Sequence, residues 1–392
     1  MKKNNRIAII TPYGAEPSRD HYAEFLLAKG LKDLGYQVNF YTYKLKKIPG
    51  YQGNLTYQGV NVIRCQQRFG ISPSLIFRLI HYRPRVVLYF HPRSFLSFSA
   101  YLGAKIVGAK TISEIVGILH DPFIVKDRDN PIDNFLPQIN LITDIKKLVT
   151  ALLQGNIYAH WLNFIFHMPV AKADTIVAIN QDEQFYIKKF YHRDSELIYW
   201  ASPANPMSEQ VKPAGVIPGQ YLFFIGMVKK RKGWDTAIEA VEKLKRQGLH
   251  KNLVFVSPSD NAEAVDYARQ LGIDGQIYFF QKITNAEKNW FYAHAQFILA
   301  PSRYEGFGLP VFEAFTAGKP LLATDIAVYL EFLEHKKNAM ISKCGDSSGL
   351  ADNIRELDAN PALAESLVIN GKKTAAQFSA AVMINKFVNL IG

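Results

Sequence analysis

The chain has 392 residues, 48% of them hydrophobic, and a formal net charge of +12. This length exceeds one average hydrophobic core and predicts two domains, while the apolar content, with 26 Phe and 20 Tyr, excludes a disordered chain. Cys65 and Cys344 are the only cysteines, which excludes a disulfide framework and a cysteine metal cluster and predicts a reducing, cytoplasmic setting.

The first elements in chain order have a β-α-β pattern. A β-branched run over residues 7–11 precedes a helical pattern over about 21–34, then Gly35 and a second strand over 37–43. The run Ile7 to Ile10 is too short for the apolar core of a signal peptide. Polar residues interrupt the apolar stretch 148–171. We therefore expect neither export nor a membrane span.

The same pattern returns in the second half of the chain. A strand over 221–228, a basic turn, a helix over about 234–247 and a strand over 253–257 follow a segment rich in proline and glycine, 202–221. We expect two α/β domains with parallel sheets, 1–205 and 206–375, and a C-terminal helix, 376–392, that packs back on the first domain. Ligands of such sheets bind at the carboxyl ends of the strands.

Residues 301–314, PSRYEGFGLPVFEA, contain two glutamates separated by a glycine-rich turn. We expect a strand ending near Ala300, a loop that holds Glu305, and a helix that starts at Pro310, with Glu313 in its first turn. On one helix the glutamates would be about 12 Å apart, but the turn can bring both to one cleft. Backbone N–H groups at the helix start suit a phosphate, and carboxylates accept hydrogen bonds from sugar hydroxyls.

This stretch, E-G-F-G-L-P-x-x-E, resembles the E-x7-E signature of retaining glycosyltransferases of family 4. The similarity extends over most of 221–356 and more weakly over 118–121 and 173–184. The resemblance implies the GT-B fold, in which two Rossmann-like domains face each other across a cleft. It also implies transfer of a hexose from a UDP- or GDP-sugar to a glycan or lipid-linked acceptor, with retention and without metal or cofactor, in cell-surface polysaccharide or glycolipid synthesis.

The resemblance also assigns roles to individual residues in the second domain. Glu313 binds the donor ribose, Glu305 lies by the donor sugar, and the turn from Phe307 through Gly308 to Leu309 contacts the diphosphate and sugar. The basic turn GMVKKRKGW follows the first strand of this domain. Lys232 matches the family's diphosphate-binding lysine. The family's arginine position is occupied by Met227, which makes Arg231 the substitute, with Lys229 and Lys230 as weaker alternatives.

Fewer candidates lie in the first domain. His120, at the end of a predicted strand, matches the histidine that reaches the donor sugar, and Asp121 before Pro122 is a candidate cap for a following helix. The first loop lacks the Gly-Gly pair of many relatives. Its acceptor-side candidates are Gly14, Arg19, Asp20 and His21, which are also typical of a surface turn.

The sequence leaves several alternatives open. Asp127 and Asp129 form the D-x-D pattern of metal-dependent glycosyltransferases but lie in a predicted open loop. A GT-B epimerase or hydrolase would turn over without an acceptor. A glycosidase needs two carboxylates about 5–9.5 Å apart and no phosphate site. A dinucleotide dehydrogenase is disfavoured because no G-x-G-x-x-G follows either first strand.

The positive charge is concentrated in the first domain. Residues 1–205 carry 25 Lys and Arg against 15 Asp and Glu. No acidic residue lies between Asp33 and Glu114, a stretch whose cations are Lys44, Lys46, Lys47, Arg64, Arg68, Arg78, Arg83, Arg85, Arg93, Lys105 and Lys110. With apolar neighbours such as Phe69, Ile71, Leu75, Ile76 and Phe77, this stretch predicts a peripheral anionic-membrane surface on the cytoplasmic side or a pocket for an anionic acceptor. No nucleic-acid recognition module is visible, but a non-catalytic basic scaffold stays open.

Overall fold

The computed structural model describes residues 4–12, 22–44, 53–67, 70–127, 129, 131, 140–203, 209–215 and 219–392. These residues form two compact units. Unit 1 takes the described residues of 1–126, 135–200 and 380–392, and unit 2 takes those of 127–134 and 201–379. The chain passes between the units at Trp200 and at Ser379, whereas the sequence analysis placed these boundaries at 205 and 375.

Unit 1 is an α/β unit around an eight-stranded sheet with the order β3-β4-β2-β1-β5-β6-β7-β8. All neighbouring strands are parallel except β3 and β4. Its strands are β1 (Arg6–Ile10), β2 (Gln37–Tyr43), β3 (Leu55–Tyr57), β4 (Val60–Cys65), β5 (Val86–Phe90), β6 (Lys110–Ile115), β7 (Thr175–Ala178) and β8 (Glu196–Leu197). Its helices are α1 (Ala23–Asp33), α2 (Pro73–Tyr82), α3 (Phe95–Val107), α4 (Ile145–Leu152), α5 (Ile157–Ala171), α6 (Gln181–Tyr191) and the last helix of the chain, α14 (Ala380–Ile391).

Unit 2 contains a six-stranded parallel sheet with the order β11-β10-β9-β12-β13-β14. Its strands are β9 (Leu222–Ile225), β10 (Leu253–Ser257), β11 (Ile277–Gln281), β12 (Phe297–Ala300), β13 (Leu321–Thr324) and β14 (Met340–Ser342). Its helices are α7 (Trp234–Arg246), α8 (Ala262–Gln270), α9 (Asn285–His294), α10 (Leu309–Ala317), α11 (Ala327–Leu330), α12 (Ser347–Ala359) and α13 (Pro361–Gln377).

Strands β5 and β12 are apolar at every position, which is typical of parallel strands that are covered on both faces. All five residues of β5 are buried, as are all four of β12. Strands buried on both sides cannot alternate apolar and polar residues, which is why their runs read as continuous in the sequence. The polar loops that follow these strands are the positions where side chains remain available for a ligand.

Helix α14 packs within unit 1 rather than with the helix that precedes it. Its Met383, Phe387 and Ile391 are buried, and the helix contacts α1. The Arg85 guanidinium donates hydrogen bonds to the carbonyl oxygens of Ile391 and Gly392. The Lys110 ammonium donates to the Leu390 carbonyl at 2.6 Å. Two cations of the acid-free stretch therefore anchor this helix.

The structure corrects two local predictions. Helix α10 begins at Leu309 after a Gly308 cap, so Pro310 is its second residue, and Glu313 lies beyond the first turn. His120 does not end a strand, because β6 ends at Ile115 and His120 lies in a short 3-10 turn after it. Among the described residues, no helix combines the length and apolarity needed to cross a bilayer.

Candidate active site

The basic turn of unit 2 lies directly against the loop that follows β12. A Cβ atom on Gly233, whose φ is +65°, would lie 1.7 Å from the Pro301 carbonyl oxygen, so only glycine permits this approach. The backbone N–H of Arg303 donates to the Arg231 carbonyl at 2.7 Å. These contacts bring the end of β9 and the end of β12, which are adjacent strands, into one site.

Arg303 fastens the two loops through its side chain. Its guanidinium donates to the Lys230 carbonyl and to Asp235 Oδ1, both at 2.7 Å. Burial raises the pKa of the Asp235 carboxyl, but its bonds to Arg303 and Lys230 outweigh burial and lower the pKa overall. The sequence analysis did not single out Arg303, although it stands two residues before Glu305. Its position directly after a buried strand was the available signal.

Glu305 is a buried carboxylate beside two cations. Its Oε1 accepts hydrogen bonds from the Lys232 ammonium at 2.5 Å and from the Ser302 hydroxyl at 2.8 Å. Arg231 Nη1 lies 3.9 Å from Oε2. Burial raises the pKa of the Glu305 carboxyl, but Lys232, Arg231 and these bonds outweigh burial and leave it below its usual value. The structure thus brings together three predicted site residues, Glu305, Arg231 and Lys232. The Glu305 carboxylate is ionised in this arrangement.

The charge of Lys232 is affected by both glutamates of the motif. Its burial lowers the pKa of the ammonium, and the charges of both Glu305 and Glu313 oppose that change. Both carboxylates therefore act on the same cation, although they come from a loop and from a helix.

Glu313 projects from α10 and has two partners on α9 that the sequence analysis missed. The Lys288 ammonium donates to Oε1, and the Tyr292 hydroxyl donates to Oε2 at 2.8 Å. Burial, together with the charge of Glu313, raises the pKa of the Tyr292 hydroxyl well above its usual value, so it stays a donor. Lys288 and Tyr292 are four residues apart and share one face of α9. That spacing was their only signal in the sequence.

The Gly306–Leu309 turn is held from behind by aromatic packing. The Phe307 ring is buried and stacks on Phe312 with 4.5 Å between centroids. It also packs near Phe332 and Phe378. A Cβ on Gly308, whose φ is +88°, would lie 2.5 Å from the Tyr329 ring. Phe307 therefore offers a ligand its backbone rather than its ring, while Leu309 is half-buried at the helix start.

His120 lies in unit 1, in a loop that Arg93 and the buried Glu183 hold in place. The Arg93 guanidinium donates to the carbonyl oxygens of Val116, Gly117 and Ile118. Glu183 Oε1 accepts from the N–H groups of Gly117 and Ile118. Burial raises the pKa of the Glu183 carboxyl to about 8, against the lowering effect of Arg93 and the two N–H groups. The imidazole of His120 itself is half-buried.

Asp121 has a larger structural role than the predicted helix cap. It is buried, and its Oδ1 accepts from the Phe123 N–H at 2.8 Å in a turn rather than at a helix start. Its Oδ2 lies 3.3 Å from Arg93 Nη1 and 3.6 Å from His167 Nε2. Burial lowers the pKa of the His167 imidazole to about 4, so this ring is neutral near pH 7. Asp121 therefore supports the His120 loop from inside.

The acceptor-side candidates Gly14, Arg19, Asp20 and His21 lie outside the described residues. The alternative metal pair is partly described. Asp129 Oδ2 accepts from the Lys229 ammonium at 2.7 Å, and Asp127 Oδ1 accepts from the Asp129 N–H. Within the described part of the chain, no group of three His, Cys, Asp or Glu side chains could hold a metal ion.

The structure uses much of the acid-free stretch internally. Arg64 is buried and donates to the Gly53 carbonyl, Arg93 holds the His120 loop, and Lys105 lies 3.6 Å from Asp174. Arg85 and Lys110 anchor α14. The exposed cations among the described residues of this stretch include Lys44, Arg78 and Arg83. Of the predicted insertion residues, Leu75 is buried and Phe77 is exposed, whereas Phe69 lies outside the described residues.

Comparisons with known proteins identify similar chains. Residues 212–374, which include both loops of the unit 2 site, match the family model described as glycosyl transferases group 1. The chain is 28% identical over 220 residues to the lipopolysaccharide core biosynthesis glycosyltransferase LpsD of Rhizobium meliloti, covering 55% of this chain and 63% of that protein. It is 25% identical to the 2-deoxystreptamine N-acetyl-D-glucosaminyltransferase of Niallia circulans, over 43% of this chain and 44% of that one. The chain thus spans about half to two thirds of the length of these relatives.

Solved structures match over nearly the whole chain. HepE of Anabaena in complex with UDP superposes with a TM-score of 0.68 at 14% identity, covering 98% of this chain and 99% of that one. Its complex with UDP-glucose gives a TM-score of 0.67. At this identity the likeness shows the fold alone, and it confirms the predicted GT-B class. The glycosyl transferase group 1 match over residues 212–374 lies within unit 2, the unit that contains this site.

Proposed function

We propose that this chain is a retaining glycosyltransferase that moves a sugar from a UDP- or GDP-sugar to a glycan or lipid-linked acceptor. The observation that carries the proposal is the buried Glu305 carboxylate, held ionised by Lys232 and Arg231 between two loops at the carboxyl ends of adjacent strands. The family match over this unit supports it, as do the lipopolysaccharide-related names among the relatives. Synthesis of a cell-surface polysaccharide or glycolipid is the setting that these names favour.

The proposed donor site separates the nucleotide sugar into three parts. Lys232 and Arg231 take the diphosphate, assisted by backbone N–H groups at the start of α10. Glu313, fixed by Lys288 and Tyr292, accepts hydrogen bonds from the ribose hydroxyls. Glu305 lies next to the sugar, where its negative charge stabilises positive charge that develops at the anomeric carbon.

In the proposed reaction the acceptor oxygen forms a bond to the anomeric carbon on the face that the diphosphate leaves. The carbon–oxygen bond to the phosphate breaks, and the leaving phosphate takes the acceptor hydroxyl proton. The enzyme supplies orientation and charge stabilisation, with Lys232 and Arg231 balancing the charge on the diphosphate. His120 donates a hydrogen bond to the donor sugar. No step needs a metal ion, so EDTA should leave the activity intact.

A screen of labelled UDP- and GDP-sugars tests this proposal. The wild type should be stabilised against heating by one nucleotide diphosphate and should hydrolyse the matching nucleotide sugar slowly. With an acceptor glycan, the product should keep the anomeric configuration of the donor. Fast turnover without acceptor would favour the epimerase or hydrolase alternative. An inverted product, or activity that EDTA abolishes and magnesium restores, would contradict the proposed mechanism.

We also propose that unit 1 attaches to an anionic membrane surface, where a lipid-linked acceptor would be found. The excess of Lys and Arg in residues 1–205 supports this attachment. Co-sedimentation with anionic and neutral vesicles tests it, and failure to bind anionic vesicles at low salt would favour a soluble anionic acceptor.

A further inference from the structure

A stripe of large apolar side chains lies exposed along α4 and the start of α5. It consists of Ile145, Val149, Leu153, Ile157 and Tyr158, each more than half exposed. We call these five residues the α4 stripe. The sequence analysis noted the apolar character of this region but placed the membrane surface in the acid-free stretch instead. Large apolar side chains that are exposed together, rather than singly, mark an interaction surface.

The geometry of α4 separates this stripe from the face that packs on unit 1. At about 100° per residue, Ile145, Val149 and Leu153 fall within an arc of roughly 80°. Leu148 points elsewhere and is buried in an apolar cluster that includes Phe164. Helix α4 therefore has an inner apolar face that the core of unit 1 uses and an outer apolar face that is exposed.

The charges around the stripe indicate what it contacts. Lys146 and Lys147 are exposed next to it, and no acidic residue lies between Asp144 and Asp174. The Asp144 side chain accepts from the Lys147 N–H as the cap of α4. A second copy of the chain would bring like charges together at this surface, whereas anionic headgroups complement it.

The shape and chemistry of the stripe suit a bilayer surface. It lies on a helix and the turn that follows it, and Tyr158 offers an apolar ring with a polar end, which is typical of residues at the membrane interface. Its aliphatic members can enter the boundary between headgroups and acyl chains while the two lysines stay among the phosphates.

We propose that the α4 stripe is the element through which unit 1 docks on an anionic bilayer. This inference rests on the proposed membrane attachment and specifies its location. Within the acid-free stretch, Arg64, Arg85, Arg93 and Lys110 hold loops and α14 within unit 1, whereas Lys44, Arg78 and Arg83 are exposed.

Vesicle co-sedimentation with two matched variants tests the location. The stripe variant combines Ile145→Ser, Val149→Ser and Leu153→Ser. The control variant, Phe77→Ser with Ile80→Ser, removes exposed apolar residues from α2, which lies in the acid-free stretch. Arg85 is left unchanged because its loss would release α14. Vesicles of phosphatidylcholine alone are compared with equimolar phosphatidylcholine and phosphatidylglycerol, while circular dichroism and nucleotide diphosphate binding report that the variants stay folded.

We expect the wild type and the α2 control to pellet with the anionic vesicles. The stripe variant should lose about tenfold or more in partitioning, because removing even one inserted aliphatic side chain costs more than one tenfold step. Lys146→Ser with Lys147→Ser should weaken binding to anionic vesicles and remove most of its salt dependence.

Three other outcomes would contradict the stripe assignment, the membrane attachment or the bilayer as the partner. If the wild type binds anionic vesicles and the stripe variant binds equally well, the stripe assignment is wrong and the attachment of unit 1 stands. If the wild type does not bind at low salt, both are wrong. If sedimentation velocity shows a wild-type dimer that the stripe variant loses, without vesicle binding, the stripe is an interface between copies of the chain.

Discussion

Two buried glutamates, Glu305 in unit 2 and Glu183 in unit 1, stabilise loops that carry predicted site residues. Their surroundings give the two carboxyl groups different ionisation states. Glu305 in unit 2 contacts Lys232 and lies near Arg231, and its carboxyl pKa falls below the usual value. Glu183 in unit 1 accepts mainly from backbone N–H groups, and burial raises its pKa to about 8. Direct contact with Lys232 offsets the desolvation of the Glu305 carboxylate, whereas the charge of Arg93 and two backbone N–H groups offset that of Glu183 only in part.

The difference in carboxyl pKa corresponds to a difference in role: Glu305 belongs to a site with fixed charges, whereas Glu183 supports a loop. The unit 2 site keeps fixed cations and an ionised carboxylate where a diphosphate and a sugar would lie. The Glu183 carboxyl, which is largely protonated near neutral pH, holds the His120 loop without adding a full negative charge to it.

The largest effect is expected when Lys232 is replaced by Met. Glu305 would then stay buried without its closest cation, and breaking a buried ion pair in this way costs about 3–5 kcal/mol. Urea unfolding should show that loss, and affinity for nucleotide diphosphate should fall as well. The matched control is Lys229→Met, which breaks the exposed pair with Asp129 and should cost about 0–1 kcal/mol. Equal losses in the two variants would contradict the buried-pair account.

Replacing Glu313 by Ala should have the next largest effect, on donor binding. A hydrogen bond between a charged group and a ribose hydroxyl contributes about 1.5–3 kcal/mol, which calorimetric titration with UDP and GDP would resolve. Glu334→Ala, which removes an exposed partner of Lys337, serves as the control. Unchanged nucleotide affinity in a folded Glu313→Ala protein would rule out the ribose assignment.

Lys288→Met should weaken donor binding by about tenfold, or roughly 1.4 kcal/mol, because Glu313 loses the ammonium that fixes its carboxylate. Lys288→Arg keeps a charged donor and should preserve most of the nucleotide affinity in calorimetric titration. A folded Met variant with wild-type affinity would contradict this role of Lys288.

The smallest effect concerns Glu183 and the pH dependence of stability. The folded pKa of about 8 lies above the ordinary value of 4.5, so the folded state keeps this proton at pH values where the unfolded chain has lost it. Its contribution is complete below about pH 4.5 and is lost as the pH rises to 8, with a slope of at most about 1.4 kcal/mol per pH unit.

Glu183→Gln keeps an acceptor for the two backbone N–H groups and removes the titration. The difference in unfolding free energy between wild type and this variant should therefore shrink or change sign steadily between pH 5 and 8, in urea titrations at several pH values. A constant difference across that range would show that Glu183 is ionised in the folded protein.

The sequence predicted the architecture well because continuous apolar runs and glycine stops reflect the parallel sheets directly. The strands QVNFYTY and LVFVS have the predicted bounds. Predictions were less accurate where long-range contacts decide. Gly308 is the cap of α10, and Tyr329, 21 residues away, leaves no room for a Cβ there, so the helix starts at Leu309 rather than at Pro310.

In the candidate site, too, residues with a local sequence signal were predicted and residues that depend on long-range contacts were missed. The motif and the basic turn were visible because they are local, and the structure brings Glu305, Arg231 and Lys232 together. Lys288, Tyr292 and Arg303 were missed because their roles depend on contacts with residues 21 to 68 positions away. The prediction of a basic membrane surface stays a prediction, since composition counts cations but does not show which ones the fold uses internally.

Calorimetric titration with nucleoside diphosphates and nucleosides tests whether Arg231 and Lys232 form a diphosphate site beside Glu305. Wild-type protein should bind UDP or GDP much more tightly than uridine or guanosine. The double variant Arg231→Gln with Lys232→Gln should lose most of this preference while it stays folded. A folded double variant that retains the full preference for the diphosphate would show that these two residues do not bind it.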